Sequence, residues 1–469
     1  MNTTTVGATA HDEAVAALRS SYSAIPPGSP VRLAKRTSNL FRPRTRQPVA
    51  ALDASRLDGV IHVDASARTA DVQGMCTYEH LVDQTLRHGL MPLVVPQLKT
   101  ITLGGAVTGL GIESSSFRSG LPHESVLEMD VLTGDGRLVT AAPDGEHADL
   151  FAAFPNSYGS LGYCVRLKIE LEPVHPYVAL RHVRFSDLDS LAAAVVEICR
   201  DRRWQEEPVD FLDGVMFGLD EAYLTLGRWC DDVAASGLLS TSDYTGQEIF
   251  YRSVRERSLD VLTVADYLWR WDTDWFWCSK AFGVQNPRVR KLWPARLRRS
   301  DVYHRIVAAE TRWQVKARIR RWQGHRPQER VVQDVEIPVE RTADFLRWFD
   351  EHVSMSPVWL CPLRLREPAG PGSARSWPLY PLEAGRVYVN VGFWGLVPMA
   401  EGRQDGDLNR DVERAVTDHG GHKSLYSDAY YDRSTFESMY GGNYYTKAKR
   451  VYDPDNRLTG LYEKAVGRR

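Results

Sequence analysis

Alternating hydrophobic and polar residues predict short, half-buried strands in the first third of the chain. Residues 163–172 alternate strictly between apolar and polar side chains, as a strand with one buried face does. Residues 60–64 and 69–73 have the pattern of a strand pair, and residues 78–88 have the apolar spacing of an amphipathic helix. Together these elements predict an α+β unit over residues 30–175.

The remainder of the chain has the pattern of a second α+β domain with an antiparallel sheet. An Ala-rich helix is predicted over residues 186–203, with Ser186 as its N-cap. A second helix is predicted over residues 339–352, because Phe and Leu residues recur there at helical spacing. Strands are predicted at 331–337, 358–365 and 386–391, and a loop at 368–375.

Residues 101–136 combine closely spaced glycines with a run of serines. Glycine lets the backbone approach an anionic group, and consecutive N–H groups in such a loop form an anion-binding concavity. A Rossmann fingerprint needs a helix that begins at the glycines, whereas here they lead into serines and then a hairpin turning at residues 134–136. We therefore expect a dinucleotide site on a β-rich scaffold, formed by Gly104, Gly105, Gly109, Gly111, Ser114, Ser115 and Ser116.

The segment 265–330 differs from the rest of the chain in composition. It holds seven of the 13 tryptophans, and 16 Lys/Arg against 6 Asp/Glu, within a chain of net charge −2. Tryptophan interleaved with cations favours an anionic membrane surface. The alternative is a tryptophan core beneath a solvated arginine face. Nucleic acid fits less well, since the rest of the chain is not basic.

Composition also bounds the function. With 469 residues, 43% hydrophobic, the chain is expected to hold two domains. The six scattered cysteines suit reduced thiols in a cytoplasm and argue against a disulfide framework or a metal site. The N-terminus has no secretory pattern, and no apolar run is long enough to span a membrane. Motifs of hydrolases, metalloproteases and P-loop proteins do not occur in the sequence.

Several strings carry a family resemblance. LGGAVTGLGIESSS at residues 103–116 resembles the FAD-binding domain of the vanillyl-alcohol-oxidase/PCMH flavoproteins, and its Δ24-sterol reductase branch in particular. NSYGSLGYCVRLKIEL at 156–171 is similar to the strand whose start contacts the flavin, and LYSDAY at 425–430 also resembles that branch. The string RLAKRTSNLFR at 32–42 resembles actinobacterial reductases that convert 10-methylene to 10-methyl fatty acyl chains.

The resemblance implies an α+β fold with a two-subdomain PCMH-type FAD-binding domain at 30–175 and a substrate domain at 176–425. Residues 1–29 would form an N-terminal helical segment, and residues 426–469 would return to the FAD domain. The FAD is expected to be non-covalent, because the first pyrophosphate loop holds no His and residues 96–100 hold no Cys. Further FAD-binding residues implied by the resemblance are Lys35, Arg36, Thr37, Ser38, Asn39, Thr102, His123, Gly159, Leu161, Gly162 and Val165.

The implied reaction is NADPH- or NADH-dependent reduction of an unactivated lipid C=C bond, most simply in a methylene-branched acyl chain. Such an alkene needs an acid, an apolar slot, and π-faces near the developing cation. The candidate catalytic residues are Asp428, Tyr430, Tyr426 and Glu113, and the candidate substrate residues are Trp359, Asn390, Phe393 and Trp394. For each tyrosine an ordinary strand role remains open, and for Glu113 a loop-stabilising one. His304 and Glu310 are expected to be surface residues.

Three alternatives remain: reduction of a Δ24-sterol-type side chain, an FAD-dependent alcohol or sugar oxidase or dehydrogenase, and a non-catalytic lipid-binding protein. Expected partners are a lipid or phospholipid acyl substrate, an anionic membrane surface, and a lipid methyltransferase that acts upstream. No nucleic acid and no metal is expected. The expected location is the cytoplasm, peripheral on the inner face of the membrane.

Overall fold

In the computed structural model the described residues are 5–34, 41, 49–313, 322, 326–367 and 376–466, with the backbone alone for 308–313. A parallel pair, β1 (Val31–Ala34) and β2 (Ala50–Asp53), precedes two antiparallel sheets. The first sheet has the order β3-β4-β8-β6-β7, with β5 beside β8. Its strands are β3 (Val60–Asp64), β4 (Thr69–Gln73), β5 (Leu90–Pro92), β6 (Val126–Thr133), β7 (Leu138–Ala141) and β8 (Gly162–Pro173).

The second sheet has the order β14-β9-β13-β12-β16-β17-β15-β18, and a small ribbon pairs β10 with β11. These strands are β9 (Tyr177–Phe185), β10 (Arg203–Trp204), β11 (Glu207–Pro208), β12 (Phe211–Gly218), β13 (Glu221–Cys230), β14 (Leu259–Thr263), β15 (Gln328–Pro338), β16 (Val358–Leu363), β17 (Tyr388–Pro398) and β18 (His422–Lys423).

Helices cover the sheets and connect the strands. They are α1 (Gly7–Ser23), α2 (Tyr78–Thr85), α3 (Leu103–Thr108), α4 (Ser116–Ser119), α5 (Ala148–Ala153), α6 (Leu188–Asp201), α7 (Phe250–Glu256), α8 (Val264–Trp269), α9 (Pro287–Leu292), α10 (Ser300–Trp313), α11 (Val339–His352), α12 (Asp407–Asp418), α13 (Arg433–Met439), α14 (Gly442–Tyr452) and α15 (Leu461–Ala465).

The pattern-based elements of the first unit are confirmed. The strand pair at 60–64 and 69–73 has the predicted bounds, and β8 alternates between buried and half-buried positions from Val165 to Leu171. The helix at 78–88 is α2 followed by one 3₁₀ turn, and Gly89 ends it in a left-handed conformation (φ 67°). A periodic apolar face of this length was sufficient to define each element.

In the second domain one helix matches the prediction and another is corrected at its start. α11 has the predicted bounds, 339–352. The N-cap of α6 is Asp187 and not Ser186, because the Asp187 carboxylate accepts the Ser190 N–H at 2.8 Å. The predicted loop 368–375 lies outside the described residues.

The C-terminal residues pack on the first sheet. Lys449 of α14 donates to the carbonyl of Ser160 (2.9 Å), and the Arg457 guanidinium donates to the Tyr22 hydroxyl of α1 (2.6 Å). The chain therefore ends against the domain in which it begins.

The close packing of two backbone segments at Gly104 can be tested by substitution. Gly104 lies so near Gly74 that a Cβ there would be 2.6 Å from the Gly74 carbonyl oxygen. We expect Gly104→Ala to lower the free energy of unfolding by about 1–3 kcal/mol, as overpacking does. Gly145→Ala is the control, since its nearest neighbour would be 3.8 Å away. Equal urea-denaturation midpoints for the two variants would contradict this packing.

Candidate active site

The paired glycines lie in a short helix and not in an open loop. Thr102 is the N-cap of α3, and its hydroxyl accepts the Gly105 N–H at 3.2 Å. The Gly104 N–H donates to the Gly74 carbonyl at 2.9 Å. Both amides thus donate within the protein, and the predicted contact of these glycines with a cofactor stays a prediction. Gly105 keeps accessible surface, which leaves its Cα face open to a ligand.

The end of this glycine segment meets the turn at 156–162. The Tyr158 N–H donates to the Thr108 carbonyl at 2.7 Å, and a Cβ on Gly109 would lie 3.2 Å from the Tyr158 ring. Asn156, Tyr158 and Gly159 all have positive φ (61°, 50° and 71°). A run of left-handed residues is costly and is typical of ligand-binding segments.

This turn also contains a buried polar atom that a bound ligand could satisfy. The Asn156 Oδ1 atom is buried and has no hydrogen-bond partner in the described part of the chain. A buried polar atom without a partner is expensive, so a bound group that donates to it would stabilise the turn. By contrast, the side chains of Leu161 and Val165 lie in hydrophobic cores. A Cβ on Gly162 would meet Val131 at 2.5 Å.

The serines after the glycines bind protein groups. Ser114 Oγ donates to Glu113 Oε1 (2.6 Å), and Ser115 Oγ donates to the Leu93 carbonyl (2.8 Å). Ser116 Oγ accepts the Glu113 N–H at 3.1 Å. Gly111 is enclosed between Pro96 and Pro122. The hydroxyl run thus stabilises the backbone of this segment, and its predicted contact with a cofactor stays a prediction.

Glu113 belongs to a buried ion cluster with Arg270 and Asp213. Arg270 Nη2 lies 3.1 Å from Glu113 Oε1 and 2.8 Å from Asp213 Oδ2, and all three side chains are at most 4% exposed. Burial raises the pKa of Glu113, and the charge of Arg270 opposes that shift. Because this carboxyl contacts Arg270 and the Ser114 hydroxyl of its own segment, the loop-stabilising role predicted as the alternative fits Glu113 better.

A second polar cluster surrounds Tyr426. The Trp394 indole N–H donates to the Tyr426 oxygen at 2.9 Å, and the Tyr426 hydroxyl donates to the Asp334 carboxylate. Asn390 Nδ2 donates to the same carboxylate at 3.1 Å. Burial raises the pKa of Asp334 to about 6, although both hydrogen bonds lower it. Burial also raises the pKa of Tyr426 well above its usual value.

Asp334, Tyr426 and Trp394 are only partly buried, although burial is the largest influence on the pKa of both the carboxyl and the phenol. Because these groups are surrounded by protein and still keep accessible surface, we infer that they border an enclosed space, the active-site cavity. The cluster would present an acidic group to that space, as a site for proton transfer requires.

Aromatic rings form the adjoining wall. The Phe276 ring lies 4.5 Å from the Trp394 ring and 5.2 Å from the Trp359 ring. Trp277 lies 5.1 Å from Trp394. Of the predicted substrate residues, the structure thus brings Trp359, Trp394 and Asn390 to one region.

The structure places Phe393 away from the other predicted substrate residues. Side chains alternate along β17, so Phe393 points to the opposite side of the sheet from Asn390 and Trp394. Its ring packs 4.6 Å from Phe349 of α11 and is fully buried. Phe393 therefore supports the second core and does not line the cavity.

Two of the predicted catalytic residues have other contacts. Asp428 forms an ion pair with Arg330 at 3.1 Å. The Tyr430 ring lies 4.7 Å beneath the Arg410 guanidinium at the start of α12, and its backbone N–H donates to Glu413. These contacts do not include the Tyr426 cluster, so the proton-donor roles of Asp428 and Tyr430 stay predictions without geometric support.

Residues 35–39 lie outside the described residues, and Phe41 is the first described residue after them. Its N–H donates to the Tyr426 carbonyl at 3.0 Å, and its ring stacks on Trp275 at 5.5 Å. The chain that follows the predicted first pyrophosphate loop therefore touches the acidic cluster. His123 is buried, with its ring 4.5 Å from Trp377.

The tryptophan-rich segment is mostly core. Four of its tryptophans are at most 7% exposed, and Arg290 is buried in an ion pair with Asp274 (2.8 Å). His304 is half-buried against Phe41 and Trp275, and the Glu310 side chain lies outside the described part. The tryptophans at 269, 271, 275 and 277 therefore do not form a membrane surface, and the core interpretation is correct for them.

Sequence reasoning missed Asp334, Asp213 and Arg270. The signal for Asp334 was present, because Asp334 and Glu336 alternate with Val335 and Ile337 in the strand predicted at 331–337. Carboxylates on one face of a central strand must face either solvent or a polar cavity. For Arg270 and Asp213 no local pattern distinguishes a buried ion pair from a surface one.

Comparisons with known proteins give matches to the first part of the chain and to most of its length. Residues 4–142 match the family described as FAD binding domain. The chain is 27% identical over 413 residues to human Delta(24)-sterol reductase, covering 86% of this chain and 75% of that protein. It is 22% identical to the Arabidopsis thaliana Delta(24)-sterol reductase over 448 residues, covering 88% and 76%.

A shorter match, 33% identical over 168 residues, is to cytokinin dehydrogenase 6 of Oryza sativa subsp. japonica, covering 35% of this chain and 31% of that protein. The α+β fold with a PCMH-type FAD-binding domain is confirmed, and the chain is an FAD-dependent oxidoreductase. Across the helices that the structure describes, none is both long enough and apolar enough to pass through a bilayer.

The ion cluster gives a stability test. Arg270→Met leaves two buried carboxylates without their cation, and we expect it to lower the free energy of unfolding by about 3–5 kcal/mol. The loss should shrink as pH falls, because burial raises the pKa of Glu113 and protonation of that carboxyl removes part of the unpaired charge. Arg305→Met is the control, since Arg305 is 73% exposed and its pair with Asp301 is a surface one. Equal losses in urea denaturation would show that the buried cluster contributes nothing.

Proposed function

We propose that this FAD-dependent oxidoreductase reduces an isolated C=C bond of a lipid with NADPH or NADH, and that its substrate is a methylene-branched fatty acyl chain converted to the methyl-branched chain. The observation that carries the reaction type is the Asp334–Tyr426 pair beside the aromatic wall. Support also comes from the relatives that cover most of the chain, which are reductases by name.

An isolated alkene cannot accept hydride alone, because the resulting carbanion has no group to stabilise it. A proton must reach one carbon before or together with hydride addition at the other. Protonation of a terminal CH₂ of a methylene branch places positive charge on a tertiary carbon. Aromatic faces stabilise such a cation, and an enclosed site keeps water from trapping it.

Tyr426 and Asp334 suit this proton transfer. Protonated Asp334 donates to the Tyr426 oxygen, and the Tyr426 O–H then faces the cavity and donates to the alkene. The Trp394 N–H stabilises the negative charge that develops on the phenol oxygen as the proton leaves. Asn390 holds the Asp334 carboxyl in place through its amide.

The FAD would be held by the turn at 156–162, the open face of Gly105 and, as the resemblance implies, residues 35–39. When bound and reduced, FAD supplies hydride. The residues of this chain orient the alkene, exclude water and deliver the proton. The methylene branch itself has to be installed by a preceding alkyl-transfer reaction on the acyl chain.

Reduction of a Δ24-sterol-type side chain is the second candidate. It is favoured because the relatives named Delta(24)-sterol reductase match 86–88% of this chain. Both substrates place a substituted alkene carbon beside an acid, so the same residues serve either. Offering each alkene to the anaerobically reduced protein and following flavin reoxidation distinguishes the two.

The proton relay predicts different effects on the two half-reactions. We expect Tyr426→Phe and Asp334→Asn to slow reoxidation by the alkene at least about 100-fold, because each removes the acid, and to leave bleaching by NADPH little changed. Tyr444→Phe is the matched control, since Tyr444 is 39% exposed on α14. Stopped-flow absorbance separates the steps, and equal losses in both would assign these residues to flavin placement.

The pKa of Asp334 predicts a pH dependence. Because burial raises this pKa to about 6, the acid is increasingly deprotonated as pH rises through that value. We expect the rate of alkene-driven reoxidation to fall as pH rises above about 6 in the native protein. The profile should be flat across this range in Asp334→Asn, and a fall of the same size in the variant would point to another acid.

The attachment of FAD gives a direct test. With neither a His in the first loop nor a Cys in residues 96–100, acid precipitation of the native protein should leave all flavin in the supernatant. Absorbance of the pellet and the supernatant measures this. A yellow pellet would show a covalent bond that these segments do not explain.

A further inference from the structure

Three apolar side chains are exposed in residues 287–297, the part of the tryptophan-rich segment that we call the tip. Leu292 is 86% exposed, and Val289, three residues earlier in α9, is 37% exposed. Leu297 is 38% exposed. It lies next to Trp293, because the Trp293 indole N–H donates to the Leu297 carbonyl at 3.2 Å. Exposed leucines grouped in this way mark an interaction surface.

The charges at the tip are divided between two sides. Arg290 and Arg298 point inward, where Arg290 pairs with Asp274 and both donate to the Gly246 carbonyl. The outward-facing cations are exposed, and none has an ion-pair partner in the described part of the chain. They are Arg288, Lys291 and Arg296. An apolar tip surrounded by unpaired cations complements an anionic lipid surface.

The tip is also continuous with the wall of the active-site cavity. Trp293 packs against a buried cluster formed by Trp275, Val284 and Tyr303. Phe41 joins the same cluster, and its ring lies 5.9 Å from the ring of Tyr426. A run of contacting apolar side chains thus extends from the exposed tip to the proton donor.

We propose that residues 287–297 dock the protein on the surface of an anionic bilayer, so that it takes its alkene from an acyl chain still carried by a membrane lipid. The proposal rests on the lipid substrate proposed above. Moving the CH₂ groups of an acyl chain from the bilayer into water is unfavourable, so an enzyme docked on the membrane reaches the chain far more readily than one that must wait for the lipid to leave it.

Vesicle co-sedimentation of the full-length FAD-loaded protein tests the docking. We expect binding to phosphatidylcholine vesicles that contain phosphatidylglycerol, weak binding to phosphatidylcholine alone, and weakening by salt. Replacing Arg288, Lys291 and Arg296 together by Glu should lower binding at least about tenfold. The matched control replaces three exposed arginines elsewhere, Arg19, Arg200 and Arg341, by Glu and should bind anionic vesicles much more tightly than the tip variant.

Two variants that replace a single exposed apolar side chain test insertion into the bilayer separately from the effect of charge. Leu292→Ser should weaken binding several-fold, and Val451→Ser, at a 50% exposed position of α14, should not. The proposal is overturned if vesicle binding does not depend on the anionic lipid content. It is also overturned if the triple Glu variant binds as tightly as the native protein. A dimer of the free protein that Leu292→Ser abolishes overturns it as well, by assigning the tip to a second copy.

The outcomes separate docking from the proposed reaction. If the tip variant reduces detergent-solubilised alkene normally but loses activity on vesicles, both proposals are supported. If vesicles bind but no alkene is reduced by any form of the protein, docking is upheld and the proposed function fails. If alkene is reduced without any vesicle binding, only the docking proposal is overturned.

Discussion

The buried ion cluster of Glu113, Arg270 and Asp213 joins three parts of the chain that are far apart in sequence. Two carboxylates and one guanidinium out of water are tolerable only when each has its partner, so the three segments cannot separate without a large cost. Asp213 also accepts the indole N–H groups of Trp271 (3.2 Å) and Trp359 (3.4 Å). The cluster thereby positions the aromatic wall against the serine-rich segment of the FAD-binding domain.

The acidic group of the site depends on a different constraint, the two-sided burial of β15 and β17. On one face, Val335 and Phe393 pack under α11 in a hydrophobic core. On the other face, Asp334 and Asn390 meet across the paired strands, next to Trp394. The core holds the strands rigid, and rigid strands keep the carboxyl at hydrogen-bond distance from Tyr426 in a cavity that raises its pKa.

The tryptophan-rich segment contributes both to the buried core and to the exposed surface. Its inward residues supply rings to the cavity wall and arginines to buried ion pairs, whereas the tip presents Leu292 and unpaired cations to the outside. Composition alone does not distinguish the inward-facing residues of this segment from the exposed ones. The structure divides them because a buried arginine requires a carboxylate such as Asp274, and an exposed one does not.

Local patterns determined much of this protein. Alternation defined β8, helical spacing defined α11, and the string around Glu113 indicated the FAD-binding domain, because these signals are carried by residues close together in sequence. Tertiary structure alone decided that Gly104 serves packing, that Phe393 is core, and that Asp334 lies beside Tyr426 with a raised pKa. Each of those outcomes depends on which face of an element meets which distant residue, and on the loss of water there. Burial and pairing across the fold set the pKa of a carboxyl, and no short stretch of sequence contains that information.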